Sequence, residues 1–360
     1  MIAEPGQRYS LTRFRDHEGG TLGAGLALLG SFPVEKRILG RTGRAVSVIG
    51  LGTWQLGDGW GEVAEQDALA VLDAAVDSGV TFLDTADVYG DGRSEKLIGQ
   101  FLAGRPGLDV MVATKMGRRA PLDPALYTLD NFRAWTDRSR ANLGADTLDL
   151  VQLHCPPTAV YSIDAVFDDL DTLVAERRIA AYGVSVETCA EALAAIARPG
   201  VASVQIILNA FRRKPLEQVL PAAEAAGVGI IARVPLASGL LSGRYTRDTV
   251  FAADDHRTFN RHGEAFDAGE TFSGVDYATG VDAAREFAAL VPAGATPAQA
   301  ALRWVTQQPG VTTVIPGARD AEQARLNAAA ADLAPLSDAE LSQIEDLYDR
   351  RIRALVAGRW

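Results

Sequence analysis

The stretch EQDALAVLDAAVDSGVTFLD, residues 65–84, decides the fold. Its first part sets Ala68, Val71, Leu72 and Ala75 three and four residues apart among Gln and Asp, the period of an amphipathic helix built from good helix formers. Its last part, TFLD, is a short apolar run that reads as a buried strand ending on a carboxylate. Outward from this unit the alternation repeats. Strands are expected at 48–51, 81–84, 110–115, 148–153, 181–185, 203–207, 229–234 and 313–315. Helices are expected at 65–78, 129–143, 163–176, 188–197, 216–226, 297–308 and 321–330.

Counting eight strands, each followed by a helix, implies parallel pairing with helical crossovers. Two layouts satisfy this: an open doubly wound sheet and a closed barrel. The count of eight favours the barrel. So does the turn after the first strand, where Gly50, Gly52 and Gly57 do not make the dinucleotide fingerprint G-x-G-x-x-G. The expected fold class is therefore α/β, a (β/α)8 TIM barrel. A hairpin of residues 37–39 and 45–48, turned by 40–43, precedes the first strand and would cap the barrel floor. Residues 236–280 show no strong period, and a loop of that length in a compact domain is usually functional.

Residues 1–34 stand apart as an N-terminal extension, 35–350 form the barrel domain, and 351–360 form a tail. A basic flank followed by a mildly apolar stretch raises the reading of a secretory signal. Asp16 and Glu18 interrupt that flank and no small-x-small cleavage site follows, so an extension outside the main domain is the better reading. A net charge of −11 argues against a nucleic-acid partner. No run of about 18 apolar residues predicts a membrane span. Two cysteines, Cys155 and Cys189, without close spacing exclude a disulfide framework and suit a reducing, cytoplasmic setting. Of His17, His154, His256 and His262 only His154 lies in a core-like segment, so no metal site is expected.

In such a barrel the chemistry sits at the carboxyl ends of the strands. Four polar residues land there: Asp84 and Tyr89 in FLDTADVYG, Lys115 in VATKMG and His154 in DLVQLHCPP. Singly, each has an ordinary structural reading, as turn former, packing residue, solvated cation or hydrogen-bonded core imidazole. Together they converge on one mouth. A cation about 4 Å from a phenol is worth at most roughly 4 kcal/mol at an effective dielectric of 20, or about three pKa units. On this expectation Lys115 brings Tyr89 towards neutrality, Asp84 holds Lys115 charged, and His154 donates a hydrogen bond to a substrate oxygen. The set describes a proton donor to a carbonyl gaining negative charge, and it lacks only a reductant.

At this point the sequence resembles the aldo-keto reductase superfamily, over residues 37–346. The likeness rests on ordered motifs: RILGRTGRAVSVIGLGTWQLG, FLDTADVYGDGRSEKLIG, VATKMG, LDLVQLHCP, YGVSVE, VQIILN, PLASGLLSGRY and VIPGARDAEQARLN. It implies a (β/α)8 barrel binding NADP(H) without a Rossmann domain, with Asp84, Tyr89, Lys115 and His154 as catalytic tetrad and Tyr89 as general acid. By motif, Gly52, Thr53, Trp54 and Asp84 fall near the nicotinamide, and Ser185 and Gln205 resemble the pair that binds its carboxamide. Asn209 follows in the same motif, its contact left open. Leu236, Ser238, Gly239, Leu241 and Arg244 resemble the pyrophosphate strap. Gly317, Arg319, Gln323 and Asn327 look like the adenosine-end group, with Arg319 suited to a 2′-phosphate.

Two positions depart from the family pattern. Val186 stands where Asn or Arg is common. Arg233 stands where many members place an aromatic on the nicotinamide; it either lies flat against the ring, adding charge that disfavours the oxidised form, or pairs with an acidic neighbour. The expected partner is a small-molecule carbonyl substrate, held by Trp54, Tyr89, residues 155–161 and the long loop, with Trp60 reaching the mouth. His256, Arg257, Asn260, Arg261 and His262 read as a solvated loop. The arginine-rich tail ending at Trp360 covers a surface or meets a partner. The leading expectation is an NADPH-dependent reductase of aldehydes or ketones. Its alternatives are a redox-sensing regulatory subunit resembling channel β-subunits, and a barrel lyase or isomerase using Asp84 and His154 alone.

Overall fold

The computed structural model describes residues 34–57 and 63–360. The expectations about the N-terminal extension and about Trp60 fall outside the described residues.

The hairpin comes first. Strands β1 (Lys36–Ile38) and β2 (Ala45–Ser47) pair antiparallel around a single 3-10 turn, Gly40–Thr42. Then come the eight barrel strands: β3 (Leu51–Gly52), β4 (Phe82–Asp84), β5 (Met111–Met116), β6 (Leu150–His154), β7 (Tyr182–Ser185), β8 (Val201–Ile207), β9 (Gly229–Arg233) and β10 (Val311–Val314). All neighbouring pairs run parallel, in chain order from β3 to β10. Bridges Ile49 to Val314 and Gly52 to Gly317 bring the last strand back against the first. The doubly wound alternative is thereby removed.

The expected helices are present with ends shifted by a few residues, and Leu129–Leu143 matches its expected range. Three more surround the barrel: Arg93–Ala103, Tyr277–Ala289 and Asp338–Arg351. The first of these opens on charged Arg93, Glu95 and Lys96, which hide the buried face of Leu97, Ile98 and Phe101 from a short window. Among the described residues no helix is long and apolar enough to cross a membrane.

The hairpin seals the amino-terminal end of the barrel. Leu39 and Val46 are fully buried in a cluster with Phe82, Met111, Leu150 and Ile231, side chains from the strands above. Arg41 donates to the carbonyls of Arg198, Val201 and Ala226, so one guanidinium ties the turn to three segment ends. With the floor closed and filled, the interior of the barrel opens to a ligand at its carboxyl-terminal mouth.

The long loop corrects the sequence reading. His256 and Asn260 are fully buried and Arg257 nearly so; only His262 of the named polar residues is exposed. The Asn260 side chain accepts from the backbone of Ala265 and Phe266, both at 2.8 Å, and donates to Thr271 Oγ1. Asp255 caps the short helix His256–Phe259 and pairs with Arg257. The polar stock of this loop satisfies its own backbone, which is what lets an aperiodic segment be buried. The tail also folds back on its own chain: Trp360 is buried with its ring 3.6 Å from the Arg212 guanidinium.

Candidate active site

Asp84, His154 and Ser185 are the last residues of β4, β6 and β7, and Lys115 stands near the end of β5. The register sets His154 beside Ser185 and Ser185 beside Gln205 in one row at the mouth, with Lys115 beside Gln152 in the row below. Tyr89 comes from the turn after β4. That turn presses against Gly57, where an added Cβ would lie 2.6 Å from the Tyr89 carbonyl carbon. Only glycine allows this approach.

The buried Asp84 carboxylate accepts three hydrogen bonds, from Lys115 Nζ at 2.5 Å, Gln205 Nε2 at 2.7 Å and Gln152 Nε2 at 3.2 Å. Lys115 spends its other two donors on the Thr85 carbonyl at 2.8 Å and the Tyr89 hydroxyl at 3.2 Å. All three ammonium protons are therefore placed. Burial is the largest single influence on Lys115 and opposes its charge, but Asp84 and Tyr89 together outweigh it and hold the amine protonated. The Tyr89 and His154 rings meet edge to face, centroids 6.0 Å apart.

One electrostatic expectation is overturned. The Tyr89 phenol is raised above its ordinary 10.0, not lowered towards neutrality. Loss of solvation inside the mouth is the largest cause, Lys115 pulls the other way, and the charges of Asp84 and Glu270 add to the rise. His154 is displaced well below 6.5, by burial first and then by Arg118, Lys115 and Arg233, so its ring is neutral.

A cavity of about 640 Å³ opens over these groups and extends away from them. Of the residues assigned to a cofactor from sequence, Gly52, Thr53, Trp54, Asp84, Ser185, Gln205, Arg233, Leu236, Ser238, Gly239, Arg244, Gly317, Arg319, Gln323 and Asn327 all line it. Leu241 does not; it is fully buried in the core. Lys115 stands behind the wall and Asn209 lies elsewhere. Asn209 is consumed by Val234 O and Ser273 Oγ, both at 2.9 Å, and by the Phe211 backbone. Ala237, Ser238 and Gly239 run consecutively through positive φ, with values of 48°, 55° and 93°. Such a turn presents backbone N–H groups to a ligand. Ser238 is pinned there by bonds to the backbone of Glu270 and Phe272. The Arg244 and Arg319 guanidiniums have no hydrogen bond or ion pair among the described residues, although both border the cavity.

Arg233 resolves towards the acidic-partner reading. It donates to Glu187 Oε2 at 3.0 Å and to the Val186 carbonyl at 3.1 Å, and stands 3.6 Å from Glu270 Oε1. Its charge is matched where it stands. Arg118, Glu187 and Glu270 complete this network, and none was singled out from sequence. Arg118 follows Lys115 at the end of β5, a visible signal; Glu270 lies in the aperiodic loop, which offered none. Cys155, Glu187 and Glu270 bring ligating atoms within 4.8 Å of one another, the sole such group among the described residues. Two guanidiniums already neutralise those carboxylates, so the group reads as an ion-pair network rather than a metal centre.

Fold and site together define an α/β-barrel oxidoreductase with a polar mouth and a long bordering groove. The family model described as Aldo/keto reductase family matches residues 48–349, and the chain belongs to that family. It is 34% identical over 324 residues to "Uncharacterized oxidoreductase Rv2298" of Mycobacterium tuberculosis, covering 88% of this chain and 93% of that one. Among solved structures it resembles the glycerol dehydrogenase AKR11B4 of Gluconobacter oxydans, with a TM-score of 0.71, 28% identity, and 90% and 97% of the two chains covered. It also resembles an aldo-keto reductase of Klebsiella pneumoniae solved with NADPH, with a TM-score of 0.65, 28% identity, and 88% and 95% covered.

Proposed function

We propose that the protein is an NADP(H)-dependent reductase of a small aldehyde or ketone. The observation that carries this reading is the unbroken chain from Asp84 through Lys115 to the Tyr89 hydroxyl at one end of the cavity. The residues along that cavity fit a dinucleotide: Ser185 and Gln205 for an amide, the left-handed turn at Ser238 for a pyrophosphate, and the unpaired Arg244 and Arg319 for phosphate charge. The structure solved with NADPH in a relative supports the same choice. When bound, such a cofactor supplies hydride to a carbonyl carbon.

The protein's own part is to place the carbonyl and deliver a proton. Tyr89 gives its hydroxyl proton to the carbonyl oxygen. A buried phenol held above 10.0 remains protonated at neutral pH and still transfers to an alkoxide, which is the stronger base. Lys115 stabilises the phenolate left behind. Neutral His154 offers one N–H to the same oxygen and cannot compete as the acid. Asp84, engaged by three donors, is poorly placed to act as a base, which weighs against a lyase or isomerase.

Tyr89→Phe tests the reading. Reduction of an aldehyde panel should fall by about 10²–10⁴-fold, the usual worth of a positioned acid, while NADPH still quenches protein fluorescence at the wild-type concentration. Turnover near the wild-type rate would overturn the assignment.

A further inference from the structure

Trp360 is buried against Arg212 and the long loop, and the Arg212 guanidinium carbon lies 3.6 Å from the centre of its ring. Two glycines make room for the indole. A Cβ on Gly269 would come within 2.7 Å of Trp360 Cζ2 and 2.1 Å of Arg212 Nη1, and one on Gly274 within 2.7 Å of Trp360 Cη2. Arg359 donates to the Gly274 carbonyl at 3.3 Å. The tail is thus fitted to both ends of the segment 269–274.

That segment pins the left-handed turn of the groove. The Glu270 carbonyl accepts from Ser238 Oγ at 2.9 Å, and the Phe272 N–H donates to the same hydroxyl oxygen at 3.0 Å. Phe272, Ser273 and Gly274 run through positive φ, at 52°, 56° and 69°. Non-glycine residues rarely hold such angles, which persist only where the surroundings over-determine them. Asn209, after β8, supports this run by donating to Ser273 Oγ at 2.9 Å. Trp360 supports it at Gly274.

A second route leads from the same ring to the cavity. Arg212 is fully buried, and its Nε and Nη1 have no hydrogen-bond partner among the described residues. A guanidinium stacks well on an aromatic face, so the Trp360 ring, rather than an acceptor atom, answers this side of the cation. Arg212 Nη2 donates to the Glu187 carbonyl at 2.6 Å. The Glu187 carboxylate in turn holds Arg233, which lines the cavity. Both routes end on groove residues. The hydrogen bonds that fix Asp84 and Lys115 run instead to Gln152, Gln205 and the Thr85 carbonyl, outside either route.

We propose that Trp360 is a positioning residue for the dinucleotide groove: its ring, seated against Arg212 and residues 269–274, holds the Ser238 turn in the shape that takes a pyrophosphate. What the turn binds rests on the NADP(H) reading; the hold on the turn does not.

Calorimetric titration of the full-length protein with NADPH tests this, alongside hydrogen exchange. In Trp360→Ala the NADPH dissociation constant should rise about tenfold, while kcat for an aldehyde at saturating NADPH stays within threefold. Exchange should quicken at residues 237–241 and 269–274 and not in the barrel strands. Trp360→Phe keeps an aromatic face and should hold NADPH affinity within about threefold of wild type. Affinity within twofold of wild type in folded Trp360→Ala, with or without a lowered urea midpoint, would overturn the proposal and leave Trp360 as packing alone. If that variant does not fold, Gly269→Ala serves, because its methyl wedges the loop from Arg212 and Trp360. NADPH affinity lowered at least threefold then supports the proposal, and affinity unchanged overturns it. If the wild type binds no NADPH, the cofactor reading fails and exchange alone decides: faster exchange at 237–241 and 269–274 in Trp360→Ala supports the hold on the turn, and unchanged exchange overturns it.

Discussion

At the residue scale the site is a set of buried charges whose placement is settled by burial as much as by partners. Asp87, just beyond the strand that carries Asp84, shows this without catalytic involvement. It is 2% exposed, and its Oδ1 has no hydrogen-bond partner among the described residues. Burial, with Glu95 adding to it, pushes the carboxyl from 3.8 up to about 7, against the pull of Arg119, Arg138 and Lys115. A folded-state value above the unfolded one means that the folded protein holds the extra proton between those two pH values. Stability therefore falls as pH rises through that window, by up to about 4 kcal/mol. Asp87→Asn, close in shape, should remove most of this slope. Urea unfolding at pH 5 and pH 8 should show a smaller difference for the variant than for wild type. Equal differences would mean that Asp87 ionises freely in the native state.

At the scale of elements the long loop between β9 and the helix Tyr277–Ala289 governs the groove. It supplies Ser238, Gly239, Arg244 and Glu270 to the cavity wall and Phe266 to the packing around Trp54, ring centroids 5.9 Å apart. Its conformation is held by a few fully used polar side chains. Asn260→Ala would remove the acceptor of two partly buried backbone N–H groups, those of Ala265 and Phe266. Each hydrogen bond of this kind contributes about 0.5–1.5 kcal/mol. The damage should concentrate in the loop: hydrogen exchange should quicken across residues 255–275 and KM for NADPH should rise severalfold, while the strands keep their protection. Exchange that quickens throughout the barrel would show that the loop is part of one cooperative unit.

At the scale of the whole molecule the barrel is closed at one end by the hairpin and left open at the other, and this asymmetry makes the mouth the site. The closure depends on Gly40. Its φ is +48°, and an added Cβ would come within 2.1 Å of Gly229 N and 2.3 Å of Ala202 O, both backbone. Gly40→Ala should cost more than about 3 kcal/mol, read as a lowered urea midpoint with the slope unchanged. A midpoint like that of wild type would mean the turn is not seated on the strands.

The barrel, its capping hairpin and the strand-end positions of Asp84, Lys115 and His154 were determined by the sequence itself. Periods of two kinds, one for strands and one for helices, are local properties that survive into the fold, and a polar residue closing an apolar strand stands out against its run. The helix Arg93–Ala103 escaped because charges crowd its first turn. Tertiary structure alone decided the rest. Arg118 and Glu270 lie 152 residues apart, and no periodicity links a strand end to an aperiodic loop. His256 and Asn260 look solvated until the loop folds over its own backbone. The upward direction of the Tyr89 phenol came from desolvation, which depends on what closes around a group and not on its neighbours in the chain.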